Sequence, residues 1–287
     1  MLKYFVNKYL YWIRFLKLFF LAKKHPQGTL ILGYHQIGSL SKDPLSLTVS
    51  KSNFYDQLKF LKKKFTVINP QQFYQSIVNH TIIPNSILIT FDDGYSNNLT
   101  QALPVLEKEK ITALFFIATK NIINQTPFWW DRMFSLRDYH EYKHKTLLFS
   151  KNNTKVSQKQ LPLTTGQLRI LSSSLGAVIG AHTHSHPCLS NLTFRQQAKD
   201  IKMGLKLLKK FNKQPIHFFS YPFGGLVDYN SNTIKIVQNH FKLAFTAMPF
   251  VANYHFNRYE LPRFFVGNYS GKKLGKIIKE KFPNHGK

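Results

Sequence analysis

The sequence predicts an α/β fold in which parallel strands alternate with helices and close into a barrel. Short apolar runs recur along the 287 residues, and most are followed by a segment with helical periodicity. Strands and helices that alternate at short spacing form parallel sheets, and this many units favours closure into a barrel. Three clusters of polar, aromatic, proline and glycine residues directly follow apolar runs, which is where barrel enzymes assemble their active sites.

The composition indicates a folded protein with a strong positive charge. Hydrophobic residues make up 43% and aromatic residues 15%, which is enough for an interior, so a disordered chain is excluded. The 40 Lys and Arg residues face 13 Asp and Glu, and the net charge of +27 favours contact with anionic membranes, phosphate-rich glycans or nucleic acid. A lysine-rich composition without a polyanionic partner is the alternative. No nucleic-acid-binding motif accompanies the charge, so no specific nucleic acid is expected.

Residues 1–27 predict an amphipathic helix ahead of a barrel domain at 28–287. Lys3, Arg14 and Lys17 recur at helical spacing, and apolar residues, many of them aromatic, cover most of the remaining surface. Charges interrupt the apolar stretch too often for a membrane-spanning helix, and no signal-peptide pattern is present. We expect an interfacial helix whose basic residues reach toward anionic lipid. A helix packed into the core of the domain is the alternative.

The remaining elements follow in order from the apolar runs and the helical periodicity. Strands are predicted where Val, Ile, Leu, Thr and aromatic residues run together, and helices where apolar residues recur every three or four positions. The predicted strands are 29–34, 65–68, 86–91, 113–118, 175–180, 216–220, 243–247 and 263–266. The predicted helices are 52–64, 70–78, 99–109, 193–212 and 231–240. Residues 127–162 predict an insertion or lid, and the basic tail 272–287 predicts a helix that frays.

The first polar cluster, Thr90 to Tyr95, places two adjacent carboxylates at the end of an apolar strand. Successive side chains on a strand diverge, so Asp92 and Asp93 serve one site only if the chain bends, which Gly94 permits. Two close carboxylates repel, and a cation resolves the conflict because one Asp ligates it while the other stays free as a base. An Asp-Gly turn with a helix N-cap is the alternative.

The second cluster, GAHTHSHP, contains histidines at positions 182, 184 and 186. Neutral imidazole is the commonest nitrogen ligand of zinc, and Pro187 directs the preceding residue away from helix, so the cluster is a strand end that enters a loop. One Asp and two His leave positions for water and substrate, as a catalytic metal site requires. Cys188 is a further possible ligand, although a small buried side chain is the favoured interpretation. A solvated polar loop is the alternative for the cluster.

The third cluster, FSYPFGG at 219–225, again follows an apolar run. Aromatic residues are common in pocket walls, and their flat faces suit sugar rings. A tight turn would have the same composition, so this cluster is the least specific of the three.

In this order, TFDDGY, GAHTHSHPCLSNL and FSYPFG resemble the polysaccharide deacetylase family, which shares the NodB homology domain. The segments LGYHQIG, PFWWD at 127–131 and YELPRFFVGN at 259–268 agree with it, and the similarity runs from 28 to 268. The resemblance implies a distorted (β/α) barrel, usually of seven strands. It also implies hydrolysis of an acetyl group from an N-acetylated, sometimes O-acetylated, sugar.

Carried onto this sequence, the resemblance implies that Asp92 is the general base and that Asp93, His182 and His186 hold a divalent metal. Zn²⁺ is the expected metal, and Co²⁺, Ni²⁺ and Mn²⁺ also suit these ligands. The metal would activate water and polarise the acetamide carbonyl, while Asp92 takes the proton. The backbone N–H of Phe223 would help to hold the oxyanion.

The sequence departs from the family pattern at two positions. Ser220 stands where many members have an Arg that orients the base, and Arg263, at another strand end, is the expected replacement. The late Leu-His motif that supplies the general acid is missing. His35, which follows the first strand and lies beside the last one in a closed barrel, is the expected substitute, with His184 and His255 as weaker candidates.

The predicted function is metal-dependent removal of an acetyl group from an N-acetylated sugar of a cell-envelope or lipid-linked glycan. The expected location is the cytoplasm or the inner face of the cell membrane, in peripheral contact with anionic lipid. One alternative is a catalytically impaired carbohydrate-binding module, and another is a basic nucleic-acid-binding or membrane-surface protein whose histidine-rich loop is incidental. The residues expected to contact the sugar are Tyr95, Tyr221, Pro222 and Phe223.

Overall fold

The centre of the fold is a parallel sheet in the computed structural model, which describes residues 2–39, 43–132 and 161–285. The strands are β1 (Thr29–Tyr34), β2 (Gln36–Ile37), β3 (Thr48–Val49), β4 (Thr66–Val67), β5 (Ser86–Phe91), β6 (Ala113–Ile117), β7 (Ala177–Ala181), β8 (Phe218–Ser220), β9 (Leu243–Phe245) and β10 (Phe264–Phe265). The helices are α1 (Leu2–Lys24), α2 (Lys51–Lys64), α3 (Pro70–Val78), α4 (Leu103–Lys108), α5 (Thr119–Asn124), α6 (Thr165–Ser173), α7 (Phe194–Phe211), α8 (Ser231–Gln238) and α9 (Gly271–Lys281).

Seven strands lie in the order β10-β1-β5-β6-β7-β8-β9, and the short β4 pairs with β5 beside this path. β1 pairs in parallel with β5 along its whole length and with β10 through Leu32 and Phe264. At the other end of the order, a single parallel bridge joins Phe245 of β9 to Leu261. The predicted distorted seven-stranded barrel is therefore confirmed, with its irregular seam between β9 and β10.

The strands alternate between two apolar clusters, as the two-residue repeat of a strand requires. Ile31, Leu88 and Phe116 pack together in one cluster, which the helix α3 also contacts through Phe73. Their neighbours in sequence, such as Leu32, belong to the second cluster with the apolar face of α2. Because side chains are buried on both faces of the sheet, the sequence of each strand is a nearly continuous apolar run.

The predicted strands and most predicted helices are present, with ends shifted by a few residues. The structure adds the helices α5 and α6, which the sequence pattern did not predict, and the two-residue strands β2 and β3. α6 begins at a capping box in which Thr164 and Gln167 satisfy each other's backbone N–H groups. β2 and β3 are too short to show any periodicity.

α1 is helical as predicted, but Arg14 faces the barrel and not the outside. Its guanidinium donates to the carboxylate of Glu260 at 2.7 Å and to the carbonyl of Leu226, and it lies over the ring of Tyr229. The expectation that this residue reaches toward lipid is wrong, because the barrel offers it an anion and a carbonyl. Across the described residues, no helix is both long enough and apolar enough to cross a bilayer.

The division into a helix at 1–27 and a barrel domain at 28–287 stays a prediction. The predicted insertion at 127–162 lies outside the described residues except at its two ends. At the first end, Trp129–Arg132 form a short 3-10 turn, and at the second, Pro162 forms a bridge with Tyr95. The basic tail is helical in α9, as predicted.

Candidate active site

Asp92 and Asp93 follow β5 directly, and the chain turns sharply at the second of them. Asp93 has φ 74° and Gly94 has φ 89°, both in the left-handed region that Asp tolerates and glycine adopts freely. A β-carbon on Gly94 would also lie 3.0 Å from Cδ1 of Ile117. The turn brings both carboxylates to one cavity, which is the bend that the sequence predicted.

His182 and His186 lie in the loop after β7, and Thr183 fixes the shape of that loop. The backbone N–H of His186 donates to Oγ1 of Thr183 at 3.0 Å, and these two residues have φ values of 52° and 66°. Left-handed non-glycine residues persist where the surrounding structure holds them, and they concentrate at functional sites. His184 lies apart from this pair, with its Nδ1 2.9 Å from the hydroxyl of Thr119.

Asp93, His182 and His186 form a buried group with the composition of a metal site. Oδ1 of Asp93 lies 3.6 Å from Nε2 of His182 and 3.4 Å from Nε2 of His186, and the two nitrogens are 3.1 Å apart. The carboxylate of Asp92 is the next group, with Oδ2 3.9 Å from Nε2 of His182. The structure thus brings together the four residues that the sequence placed at one site.

The hydrogen bonds of this group fit a cation. Nδ1 of His182 lies 2.8 Å from the carbonyl of Ser220, which can only accept, so the proton is on Nδ1 and the lone pair of Nε2 faces Asp93. Burial lowers the pKa of both histidines, which keeps them in the neutral form that binds metals. Burial and the negative charges of Asp92 and Asp131 raise the pKa of Asp93 well above its usual range, and the positive charge of Arg263 opposes this shift only in part. A divalent ion between these atoms would be a partner for the two Nε2 atoms and for the carboxylate.

Arg263 holds Asp92 from the opposite side. Its Nη1 and Nη2 atoms donate to the two carboxylate oxygens at 2.7 and 2.8 Å, a bidentate pair. The remaining three N–H groups donate to Thr90 Oγ1, Ser220 Oγ and the carbonyl of Thr246, so all five donors of this fully buried guanidinium are used. The residue predicted to replace the missing Arg therefore contacts Asp92, the predicted base, and Ser220 belongs to the same network.

The ion pair sets the charge of Asp92. Burial alone would raise the pKa of this carboxyl, but the Arg263 guanidinium, through its charge and hydrogen bonds, and His182 together hold the pKa well below its usual range. Two adjacent carboxylates thus have opposite tendencies, since the pKa of Asp92 is lowered and that of Asp93 is raised. Neighbouring acids whose environments separate their pKa values are typical of sites with divided acid–base roles.

His35 lies at the cavity wall beside β10, where its ring stacks on Phe265 at 4.9 Å. Burial lowers the pKa of His35 to about 4, with Asp92 opposing the shift, so the ring is neutral at pH 7. Of the weaker candidates for the acid, His184 is bound to Thr119, and His255 is exposed and stacks on His25. Neither of them lines the cavity. Among the three proposed acids, only His35 is therefore in position.

The site opens into a cavity of about 360 Å³. Ionisable groups form its floor, and apolar side chains form its walls. Phe223, with φ 62°, packs its ring 4.9 Å from His186, as predicted for the third cluster. The lining residues are His35, Leu45, Leu47, Asp92, Asp93, Trp130, His182, His186, Phe223, Ala247 and Phe265.

The other residues expected to contact the sugar lie behind the wall. Tyr95 is fully buried and donates its hydroxyl to Asp131, and Tyr221 is buried and donates to the carbonyl of Tyr259. Pro222 is also buried and does not line the cavity. Their geometry supports a role in shaping the wall and gives no support to direct contact with substrate.

Trp130 and Asp131 also belong to the site, although the sequence did not indicate a role for them. The Trp130 ring packs 4.6 Å from His186, and its Nε1–H donates to the hydroxyl of Tyr95 at 2.8 Å. Burial raises the pKa of Asp131 to about 8, although hydrogen bonds from Tyr95 and the backbone oppose the shift. The segment PFWWD could have identified these residues, because it resembles the family, but it did not suggest a role for them.

Comparison with known proteins agrees with this geometry. The sequence profile described as polysaccharide deacetylase matches residues 80–241. YxkH of Bacillus subtilis strain 168, whose name places it among the polysaccharide deacetylases, is 27% identical over 252 residues, which cover 86% of this chain and 75% of YxkH.

Two solved structures share the fold at 21% sequence identity each. The deacetylase PplD of Streptococcus pyogenes, in complex with acetate, gives a TM-score of 0.66 and covers 87% of this chain and 97% of its own. IcaB from Ammonifex degensii gives 0.67, with 89% of this chain and 97% of its own covered. The family profile spans more than half of the sequence, including the acidic turn and the histidine loop, and the chain therefore belongs to the polysaccharide deacetylase family of hydrolases.

Proposed function

We propose that this polysaccharide deacetylase removes the acetyl group from an N-acetylated sugar of a cell-envelope or lipid-linked glycan, and that it does so with a divalent metal, Zn²⁺ being the expected ion. The observation that carries the proposal is the division of roles between two adjacent acids. Asp92 is paired with Arg263, whereas Asp93 faces two neutral imidazoles across 3.4 and 3.6 Å.

Asp93, His182 and His186 would hold the metal. When bound, the ion supplies Lewis acidity, which makes water more acidic and polarises an acetamide carbonyl. The three protein ligands leave coordination positions for substrate and water, as expected of a catalytic site.

Asp92 takes the proton of the attacking water in this proposal. Arg263 and Ser220 fix the carboxylate, and Oδ1, which accepts from Arg263 alone, has a lone pair left after these hydrogen bonds. Because Arg263 lowers the pKa of Asp92, the base is ionised at neutral pH but weak. It therefore requires an acidified water, which connects the base to the adjacent metal ligands.

The sugar nitrogen is the leaving group of this reaction, and it must gain a proton as its bond to the acetyl carbon breaks. His35 is neutral at pH 7 in this environment, so it does not hold the proton in the resting enzyme. The proton taken up by Asp92 is then the one that returns to nitrogen, with His35 as the group that passes it on. The cavity walls, including Leu45, Leu47 and Phe223, surround the acetyl group and exclude bulk water.

The alternative of a catalytically impaired binding module rested partly on the missing Arg. The Arg263–Asp92 pair removes that argument, because a guanidinium at a different strand end pairs with the base. Acetate release from N-acetylglucosamine oligosaccharides, soluble and lipid-linked, tests the proposal directly with zinc-loaded protein. We expect Asp92→Asn to lower kcat by about a hundredfold or more, and Glu280→Gln, at an exposed carboxyl, to leave it unchanged.

Two results would contradict the proposal. Release only from O-acetylated sugars would exclude the N-acetyl substrate. No release from any acetylated glycan, with binding retained, would support the binding module.

A further inference from the structure

One face of α1 is fixed to the barrel. Arg14 pairs with Glu260 at 2.7 Å, and the ring of Phe15 packs 6.0 Å from that of Phe250. Leu18 and Leu21 pack against an apolar cluster that includes barrel strands. These contacts set the rotation of the helix about its axis, and hence which side chains point away from the protein.

The opposite face of α1 carries large apolar side chains in contact with solvent. Twelve large hydrophobic side chains are exposed among the described residues, and five of them lie in this helix between positions 12 and 20. Their exposed fractions run from 43% to 62%. Positions 12, 16 and 19 form one row on the helix and 13 and 20 the next, so they share one side. The five residues, called the outer face here, are Trp12, Ile13, Leu16, Phe19 and Phe20.

A cavity of about 290 Å³ continues the outer face toward α9. Phe19 belongs to both, and Phe250 and Phe282 contribute further aromatic walls. Lys23 and Lys281 are exposed at its edge, one from each helix. An apolar surface with amino groups at its margin matches a molecule that has hydrocarbon beside negative charge.

The charge of the helix restricts the partner. Lys17, Lys23 and Lys24 are exposed beside the outer face, and α1 contains no acidic residue. A second copy of the chain would bring two molecules of net charge +27 together. Nucleic acid would satisfy the lysines but would leave the aromatic side chains without an apolar partner. Anionic phospholipid satisfies both, because aromatic rings enter the head-group layer while lysines meet the phosphates.

We propose that the outer face of α1 and the adjoining cavity bind the surface of an anionic phospholipid bilayer. The helix lies in the interface plane, with its outer face in the lipid and its Arg14 side on the barrel. The barrel itself supplies the polar partner that keeps this orientation. The protein would thus be held at the membrane by an interfacial helix.

Co-sedimentation with vesicles tests the proposal in the full-length protein. We expect binding to phosphatidylcholine vesicles that contain phosphatidylglycerol, weaker binding to phosphatidylcholine alone, and no release by inorganic phosphate. Trp12→Ala combined with Phe20→Ala should weaken binding on the order of 30-fold, since two half-exposed aromatic side chains lose their transfer into lipid. Ile170→Ala combined with Leu175→Ala removes exposed apolar surface elsewhere and should have no effect.

A second pair of variants separates the charge from the apolar surface. Lys17→Glu with Lys23→Glu should abolish the preference for the anionic vesicles, whereas Lys209→Glu with Lys210→Glu, on α7, should retain it. Thermal unfolding and acetate release from a soluble oligosaccharide should be unchanged in the Trp12 and Phe20 double variant, so failure of the deacetylase assay would not affect this test.

Three outcomes would overturn the proposal. Equal vesicle binding by the wild type and by the aromatic double variant would exclude the outer face. A dimer in sedimentation that this variant abolishes would assign the face to a second copy. Binding to duplex DNA that exceeds vesicle binding, and that depends only on the lysines, would assign the charge to nucleic acid.

Discussion

At the scale of single residues, the site depends on how the pKa values of two neighbouring carboxylates shift in opposite directions. Asp92 has a guanidinium with all of its donors used, and Asp93 has the Nε2 atoms of two imidazoles at 3.4 and 3.6 Å. Burial raises the cost of ionisation for both acids, so the difference comes from the charged and hydrogen-bonding groups around each one. A residue distant in sequence, Arg263, therefore separates the pKa of Asp92 from that of Asp93.

Replacing Arg263 by Lys tests this dependence. Lysine keeps the charge but cannot form the bidentate pair, so burial should raise the pKa of Asp92. A base must be ionised, and activity is lost as the pH falls through its pKa, so the acidic limb of the kcat/KM profile should move to higher pH. We also expect a fall in kcat of about a hundredfold from misplacement of the base.

The matched control for this substitution is Arg258→Lys. Arg258 is exposed and contacts Tyr259, so the pH profile should not change. An acidic limb in Arg263→Lys at the wild-type position would show that the ion pair does not govern the base.

His35 gives a second prediction at this scale. If His35 passes a proton to the leaving nitrogen, His35→Gln should slow the release of acetate from an N-acetylated sugar by about a hundredfold. Hydrolysis of 4-nitrophenyl acetate should change little, because its leaving group departs without a proton. Asp92→Asn should impair both reactions. Equal loss on both substrates in His35→Gln would assign His35 a structural role.

At the scale of elements, the barrel places chemistry in the turns that follow its strands. β5 ends in the two acids, β7 in the histidine loop and β8 in the turn with Phe223. Left-handed residues occur in each of these turns, namely Asp93, His186 and Phe223. Such turns redirect side chains that a straight strand would point to opposite faces.

Gly94→Ala tests the first of these turns. Its φ of 89° and the 3.0 Å approach to Ile117 both oppose a side chain. We expect a loss of about 1–3 kcal/mol in the free energy of unfolding, and weaker zinc binding by calorimetry. Gly38→Ala, where a β-carbon meets nothing within 4 Å, is the control. If both variants bind zinc like the wild type, the turn is not needed for the site.

Sequence patterns predict the strands and helices that show an apolar run or a periodic spacing, and they miss those that do not. The strand ends and three clusters could be predicted because apolar runs and turn residues mark them locally. α6 was missed although its capping box at Thr164 was visible, and β2 and β3 are too short for any pattern. Tyr95 lies next to the acidic turn in sequence, yet its hydroxyl points to Asp131 behind the wall. Proximity along a chain does not fix the direction of a side chain beyond a turn.

At the scale of the whole molecule, barrel closure brings distant strands to one point. The site joins residues from β5, β7 and the segments beside β1 and β10, and no short stretch of chain contains them all. Contacts between distant parts of the chain also set the rotation of α1 about its axis, since Glu260 and Tyr229 hold Arg14. The amphipathic pattern predicts a helix but does not identify the face that meets the barrel.

Zinc binding should stabilise the folded molecule as a whole. A ligand that binds only the folded state adds about 2.7 kcal/mol at a hundred times its Kd, so Zn²⁺ should raise Tm and a chelator should reverse the rise. His182→Ala and His186→Ala should lose this shift. His184→Ala should keep it, because His184 contacts Thr119 outside the ligand group. Loss of the shift in His184→Ala would contradict the assignment of the ligands.

The most direct test is an anomalous difference map, at the zinc edge, of crystals grown with Zn²⁺. We predict one peak about 2.0–2.2 Å from a carboxylate oxygen of Asp93 and from Nε2 of His182 and His186, with Asp92 unbound and still paired with Arg263. A peak elsewhere, or none at this group in protein that deacetylates its substrate, would contradict a metal centre formed by these three residues.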